Sequence, residues 1–306
     1  MSTPLLADLA HLRSHRVRAN LVIRDRIRRA ARSALTEAGF LEVDTPVLGA
    51  RIDEYAAGHL RAETASGHRL WLAQSPQLYK QALIAAGLER YFQFAHCFRD
   101  EHREPGRTDY LREFVQLDVE MRTDSSIEIM AVVEHLLRGV LSTLGIPIPS
   151  SPFPRVDAMT AMREYGTDRP DLRSEGEELS CLWVVDFPVA RSNHGAVQLE
   201  RHPMARPQST SVTKENLTTL RSHSFDLVVN GYEIASGALR IHDPAAQSEL
   251  LHAAGLDPAA FGDLLAILEN CPPHGGFGLG LDRLTMQLLG VESIADATAF
   301  PNGFGA

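Results

Sequence analysis

Two runs of alternating apolar and polar residues, Tyr91 to Arg99 and Phe114 to Met121, flank a charged loop that contains Pro105 and Gly106. A period of two marks half-buried strands, so the pair predicts an antiparallel hairpin. A second pair, Ser224 to Val229 and Tyr232 to His242, is joined by Asn230-Gly231, among the strongest short hairpin signals. Apolar spacing near 3.6 residues predicts a helix from Asn20, with Asn20 as its N-cap, Ile23, Ile27, Ala31 and Ala34 as its buried stripe, and Gly39 at its end. The same spacing at Ile127, Met130, Val133, Leu137 and Leu141 predicts a helix over Ser126 to Leu144.

Shorter signals fill in the rest. Phe40 to Pro46 reads as an edge or interface strand closed by proline, Arg69 to Ala73 as a strand, and Leu182 to Pro188 as a buried strand. Ser75-Pro76 predicts a helix start, with Ser75 as cap and Gln77 and Lys80 on one face. Helices are expected over Ala158 to Tyr165, Ala245 to Ala254, Pro258 to Asn270 and Arg283 to Leu289, and loops over Arg51 to Gly67 and Arg201 to Leu217. His202-Pro203, in the second loop, is either a site residue or a turn. Residues 1–19 form a lead-in without periodicity.

Composition narrows this picture. The chain has 306 residues, 44% hydrophobic and 23% charged, which is ordinary for a soluble globular protein with a sizeable core. A formal net charge of -9 speaks against a protein built to coat nucleic acid. It also favours a solvated face over RNA contacts for Arg24, Arg26, Arg28, Arg29 and Arg32 of the first helix. Cys97, Cys181 and Cys271 form no CxxC pair, which fits a reducing compartment, and neither a signal peptide nor a membrane span is visible. The expected location is the cytoplasm.

The hairpin carries chemistry as well as pattern. Arg99 can fork onto a phosphate, Phe114 can stack on a base, and Glu101 can accept from an adenine amino group. Strict alternation puts Glu233 and Arg240 on opposite faces of their strand, so they share a pocket only through a bulge, for which Gly237 offers a place. The glycine-rich run Gly275 to Gly280 lets a ligand approach the backbone, with Arg283 at the start of the next helix. It lacks the third glycine of a dinucleotide-binding GxGxxG.

Three separated segments in fixed order resemble the motifs of class II aminoacyl-tRNA synthetases: Gly39 to Pro46, Phe98-Arg99-Asp100-Glu101 through Phe114, and Gly278 to Leu284. QSPQLYKQ from Gln74, WVVDFP from Trp183, EIASGALRIHD from Glu233 and PPHGGFGLGLDRL from Pro272 are similar to the catalytic domain of the aspartyl enzymes, in their compact archaeal and eukaryotic form. The resemblance implies an α+β fold, a mostly antiparallel sheet of six to seven strands flanked by helices, spanning residues 20–306. It implies a homodimer with Pro46 near the two-fold axis. It also implies ATP-dependent activation of L-aspartate to aspartyl-adenylate, with ATP and Mg2+.

Residue by residue, Arg99 would hold the α-phosphate and the substrate carboxylate, Arg283 the γ-phosphate, and Phe114, Glu101 and Glu233 would complete the ATP site. Asp226, Glu233 and Ser236 would carry Mg2+. Lys80 and Arg240 would grip the side-chain carboxylate of aspartate, and Ser75, Gln77 and Asp118 its ammonium end. Some features depart from the family. The lead-in is too short for the anticodon-binding OB domain that precedes motif 1, the bacterial insertion between motifs 2 and 3 is missing, and Asp53-Glu54-Tyr55 replaces Thr-Glu-Gly. The motif 2 loop is long and carries Tyr110 where the family has Arg or His. These departures leave the acceptor open: a tRNA acceptor stem, ammonia, an amine or a carrier. A non-catalytic nucleotide- or partner-binding regulator is the reading of another class.

Overall fold

The computed structural model describes residues 4–49, 58–100, 108–193 and 196–301. Its main sheet contains, in chain order, β1 (Leu41–Glu42), β2 (Arg90–Phe98), β3 (Glu113–Arg122), β4 (Arg155–Asp157), β5 (Cys181–Val185), β6 (Ser224–Val229), β7 (Tyr232–Leu239) and β8 (His274–Gly280). Their spatial order is β1-β2-β3-β8-β7-β6-β5-β4. The interior pairings are antiparallel, and the outermost ones, β1 with β2 and β4 with β5, are parallel. The α+β architecture is the expected one. The sheet has eight strands, wider than expected because one edge strand, Arg155–Asp157, is three residues long and too short to register as a pattern; the other, Leu41–Glu42, lies within the expected Phe40 to Pro46 strand.

The helices are α1 (Pro4–Leu12), α2 (His15–Glu37), α3 (Gln77–Ala85), α4 (Ser126–Leu144), α5 (Ala158–Tyr165), α6 (Pro244–Ala253), α7 (Gly262–Leu268) and α8 (Leu281–Leu289). Strand alternation sorts the sheet into two faces. Val115, Leu117, Val119 and Met121 of β3 join Phe277 of β8 and Ile27, Ala31, Val133 and Leu137 of α2 and α4 in the main core. Gln116, Asp118 and Glu120, the intervening β3 residues, therefore point to the other face, where the site lies. The Asn230-Gly231 turn has φ 52° and 81°, the left-handed pair that a two-residue hairpin requires.

Several boundaries differ from expectation, each for a local reason. Helix α2 begins earlier because Ser14 caps it, accepting from Val17 N. Asn20 is then buried inside the helix and donates to the carbonyl of Asp296 at 3.0 Å. In α4 the buried stripe runs through Ile129, while Ile127 is 57% exposed. Helix α3 starts one residue later than expected, with Pro76 at the cap position and no side-chain cap. Arg61–Glu63, within an expected loop, pairs with Arg69–Leu72. Part of the arginine face of α2 is engaged rather than simply solvated, although Arg29 stays 75% exposed. Arg24 pairs with Asp282, Arg29 with Asp25 and Arg32 with Glu42, and the Arg28 guanidinium lies 4.6 Å from the Phe94 ring centroid.

Candidate active site

The polar face of β3, β8 and β7, the start of α3 and the segment before Ala205 enclose a cavity of about 300 Å³. Ser75, Gln77, Lys80, Arg99, Phe114, Asp118, Glu233, Ser236, Arg240 and Arg283 all line it. Ten residues chosen from segments far apart in sequence thus converge on one space. Glu101 and Glu54 lie outside the described residues.

At one end a buried charge network is built on Glu120. Its carboxylate accepts from Arg240 Nε at 2.9 Å and lies 3.1 Å from Lys80 Nζ, which is also 3.1 Å from Asp118 Oδ1. Burial alone would raise the Glu120 carboxyl, but Arg240 and Lys80 outweigh it and hold the group at about 2. Asp118 behaves oppositely: burial pushes it up despite Lys80. Its Oδ2 and the Nε2 of Gln77 are buried without hydrogen-bond partners, an acceptor and a donor left for a ligand. Arg240 also donates to the carbonyl of Gly276 at 3.2 Å. A Cβ at Gly276 would come within 2.0 Å of the Val119 carbonyl and 2.3 Å of Glu120 Oε2, so the network needs glycine there. Behind it, Gln81 Nε2 meets His274 Nε2 at 3.1 Å, both residues being buried.

The other end is suited to a polyanion. The Arg99 guanidinium sits 5.2 Å from the centroid of the Phe114 ring. Arg283 donates to the carbonyl of Glu233 at 2.8 Å and lies 3.3 Å from Asp109. The preceding residue, Asp282, fixes the start of α8: it accepts from Val115 N at 2.9 Å and pairs with Arg24 at 2.6 Å, tying α2, β3 and α8 together. Tyr110 donates to the carbonyl of Arg99 at 2.6 Å, so this residue of the long loop buttresses the arginine's backbone.

Glu233 reaches the same face as Ser236 and Arg240 through a bulge, but not at Gly237. The register between β6 and β7 shifts at Leu227/Val228, opposite Ile234. Gly237 instead serves the core, since a Cβ there would lie 2.6 Å from the Phe225 ring. Burial and neighbouring Asp226 push the Glu233 carboxyl up. Asp226 and Ser236 are cross-strand partners, and both are taken by Arg201. Its guanidinium pairs with both Asp226 oxygens and donates to Ser236 Oγ at 2.9 Å. As arranged, Asp226 and Ser236, two of the three residues expected to carry Mg2+, are taken by a cation of the chain itself, and this pair does not fit the ion. Among the described residues no group of three or more His, Cys, Asp or Glu side chains is placed to hold a metal.

Glu120 and Arg201 are the main additions to the sequence reading. Glu120 was accessible by parity with Asp118, two positions away on the same strand. Arg201 sits in a stretch without periodicity, and nothing local points to Asp226. His202 lines the cavity, which favours the site over the turn. Met204 N donates to its Nδ1 at 3.4 Å, leaving Nε2 as the proton-bearing nitrogen, buried and without a partner. Burial, followed by Arg240, Lys80 and Arg99, holds its pKa down to about 3, so the ring is a neutral donor.

Comparison with known proteins gives the family of the chain. The family model described as tRNA synthetases class II (D, K and N) matches residues 1–303. The chain is 31% identical to a protein of Thermosynechococcus vestitus named aspartate–tRNA(Asp/Asn) ligase, over 95% of this chain and 71% of the relative. A Treponema pallidum protein of the same name is 28% identical, over 95% and 70%. The first alignment runs over 433 residues, so that relative carries internal segments that this chain does not. Among solved structures, asparaginyl-tRNA synthetase from Pyrococcus horikoshii complexed with asparaginyl-adenylate superposes with a TM-score of 0.76 at 23% identity, covering 98% of this chain and 72% of that one. A putative aspartyl-tRNA synthetase from Leishmania major gives 0.71 at 23%, covering 96% and 67%. With its fold and its family match in accord, the chain belongs to the class II tRNA synthetases of the D, K and N group.

Proposed function

We propose that the protein is a ligase that activates L-aspartate with ATP and transfers the aspartyl group to the acceptor end of a tRNA. One observation carries the choice of amino acid: Lys80 and Arg240 converge on Glu120 at the closed end of the cavity. Two cations share that one carboxylate, so the closed end keeps positive charge that suits a side-chain carboxylate and that an amide would not neutralise. Asp118 Oδ2 is an acceptor for the ammonium group. The relatives' names, which specify tRNA, favour that acceptor over ammonia, an amine or a carrier thiol.

In the first step an aspartate α-carboxylate oxygen attacks the α-phosphorus. A new O–P bond forms as the bond to pyrophosphate breaks. Arg99 stands beside the attacking and receiving groups, and Arg283 faces the leaving pyrophosphate, so the chain works by position and fixed positive charge. Phe114 offers its ring to adenine. In the second step a 3′-terminal hydroxyl of tRNA attacks the activated carbonyl and AMP leaves.

Exposed Leu41, Val47 and Leu48 beside the edge strand β1 support a homodimer through that edge. Three buried free cysteines fit a cytoplasmic setting, and no described helix is long and apolar enough to cross a membrane. ATP–pyrophosphate exchange across the amino acids tests the central reading. Exchange with aspartate, and not with asparagine or lysine, is expected; exchange with none would leave a nucleotide- or partner-binding regulator in its place.

A further inference from the structure

We infer that Arg201 is a built-in replacement for a divalent cation: at the wall of the cavity its guanidinium takes the Asp226 carboxylate and the Ser236 hydroxyl, so this pair binds no metal ion of its own. The inference rests on the reading of the cavity as an ATP site.

The arrangement is a prebuilt slot rather than a chance surface pair. Nη1 donates to Asp226 Oδ2 at 2.9 Å, while Nη2 serves both Asp226 Oδ1 and Ser236 Oγ. The Arg201 side chain is 17% exposed and that of Asp226 5%. The Phe187 ring, itself fully buried, lies under the guanidinium with its centroid 4.1 Å from Cζ. The planar fork thus has a bidentate carboxylate at its edge, a hydroxyl beside it and an aromatic face beneath, a geometry that arginine satisfies and a lysine ammonium does not. Arg201 also lines the same cavity as Arg99 and Arg283. Its fixed charge therefore faces the space assigned to the phosphates, where a metal ion would otherwise neutralise them.

Magnesium demands a near-octahedral set of oxygens at short range. A guanidinium forked onto both Asp226 oxygens covers the edge of the carboxylate from which the ion would approach within the cavity. Placing the ion there with Arg201 unmoved also sets like charges side by side in a partly desolvated pocket. Either Arg201 stays and the ion is excluded, or the ion enters and the slot on Phe187 empties.

Mn2+ titration of the nucleotide-free protein, followed by electron paramagnetic resonance, separates these. Wild type is expected to leave the free Mn2+ signal unchanged, Arg201→Met to gain one bound ion, and Arg201→Met with Asp226→Asn to lose it again. Bound Mn2+ in wild type that Asp226→Asn removes would overturn the inference, because Arg201 then yields to metal. So would an Arg201→Met protein that gains no site, because Arg201 then replaces nothing. Should Arg201→Met fail to fold, wild type decides through exchange measured at fixed MgATP with rising free Mg2+: a flat rate supports the inference and a saturable rise sinks it. If no amino acid supports exchange, the ATP reading fails, and the Mn2+ titration still decides whether Arg201 excludes metal.

Discussion

Glu120 and Lys80 meet at 3.1 Å inside the protein, with side chains 0% and 2% exposed, and Arg240 closes the group from the other carboxylate oxygen at 2.9 Å. The neighbouring cations, working against burial, depress the Glu120 carboxyl from 4.5 to about 2. A depressed carboxyl contributes stability that is fully present above its unfolded pKa and lost as pH falls through the folded one. Glu120→Gln is expected to cost about 3 kcal/mol at neutral pH, since it puts a neutral amide in place of the carboxylate that the two buried cations share and leaves Arg240 without an anionic partner. That difference should shrink between pH 4.5 and about 2. Chemical denaturation across this range checks it, and parallel pH profiles for the two proteins would be the contrary result.

Lys80→Glu and Arg240→Leu remove the cations proposed to hold the substrate side chain. Aspartate-dependent pyrophosphate exchange should fall by about 10³-fold or more in each, while ATP still binds, because a site built to pair a charge discriminates strongly when its partner is lost. Lys80→Met serves if the added carboxylate beside Asp118 and Glu120 prevents folding. Exchange surviving near the wild-type rate would remove aspartate from the proposal.

Much of this site was legible in sequence because strand periodicity fixes side-chain direction. Asp118, once placed on β3, implied that Gln116 and Glu120 share its face, and the Asn230-Gly231 turn fixed the β6–β7 pairing. What escaped depends on contacts that no local pattern encodes. Asp226 and Arg201 stand 25 positions apart, and only the folded sheet brings them together. The bulge at Ile234 could not be told from one at Gly237, because either restores Glu233 to the face of Arg240; Phe225, packed against Gly237, decides between them. Asn20 and Ser14 are both competent caps, and the carbonyl of Asp296 claims Asn20.

His202 should act as a neutral hydrogen-bond donor at all physiological pH values. Burial, with Arg240 and Lys80, lowers its pKa from 6.5 to about 3, so the unfolded chain takes up the proton first. Its contribution therefore destabilises the fold progressively as pH drops from 6.5 toward about 3. His202→Gln should flatten that part of the stability profile and lower kcat/KM for aspartate by about tenfold, the worth of one well-placed hydrogen bond. A histidine proton resonance titrating near 6.5 and lost in His202→Gln would contradict this.

Leu41 is 55% exposed on edge strand β1, with Leu48 and Val47 nearby at 47% and 37%. If this edge joins two copies, Leu41→Asp should shift the protein from dimer to monomer in light scattering, since a carboxylate buried at an apolar contact is costly. A wild-type protein that runs as a monomer at micromolar concentration would dismiss the homodimer.

The glycines of β8 separate folding from binding. At Gly276 a Cβ would lie 2.0 Å from the Val119 carbonyl and 2.3 Å from Glu120 Oε2, so backbone must move and the buried network with it. Gly276→Ala should cost at least about 3 kcal/mol or yield no folded protein, at the upper end of overpacking in a filled interior. At Gly278 the nearest atom, Gln116 Nε2, is 3.5 Å away, an ordinary contact. Gly278→Ala should therefore fold with its stability changed by less than about 1 kcal/mol. Its methyl would stand in the cavity beside Asp118, so KM for aspartate or ATP should rise while the unfolding midpoint barely moves. Unchanged kinetics in a folded Gly278→Ala protein would mean that no substrate crosses β8 at that point, and the cavity would have to be read as binding its ligands along α3 alone.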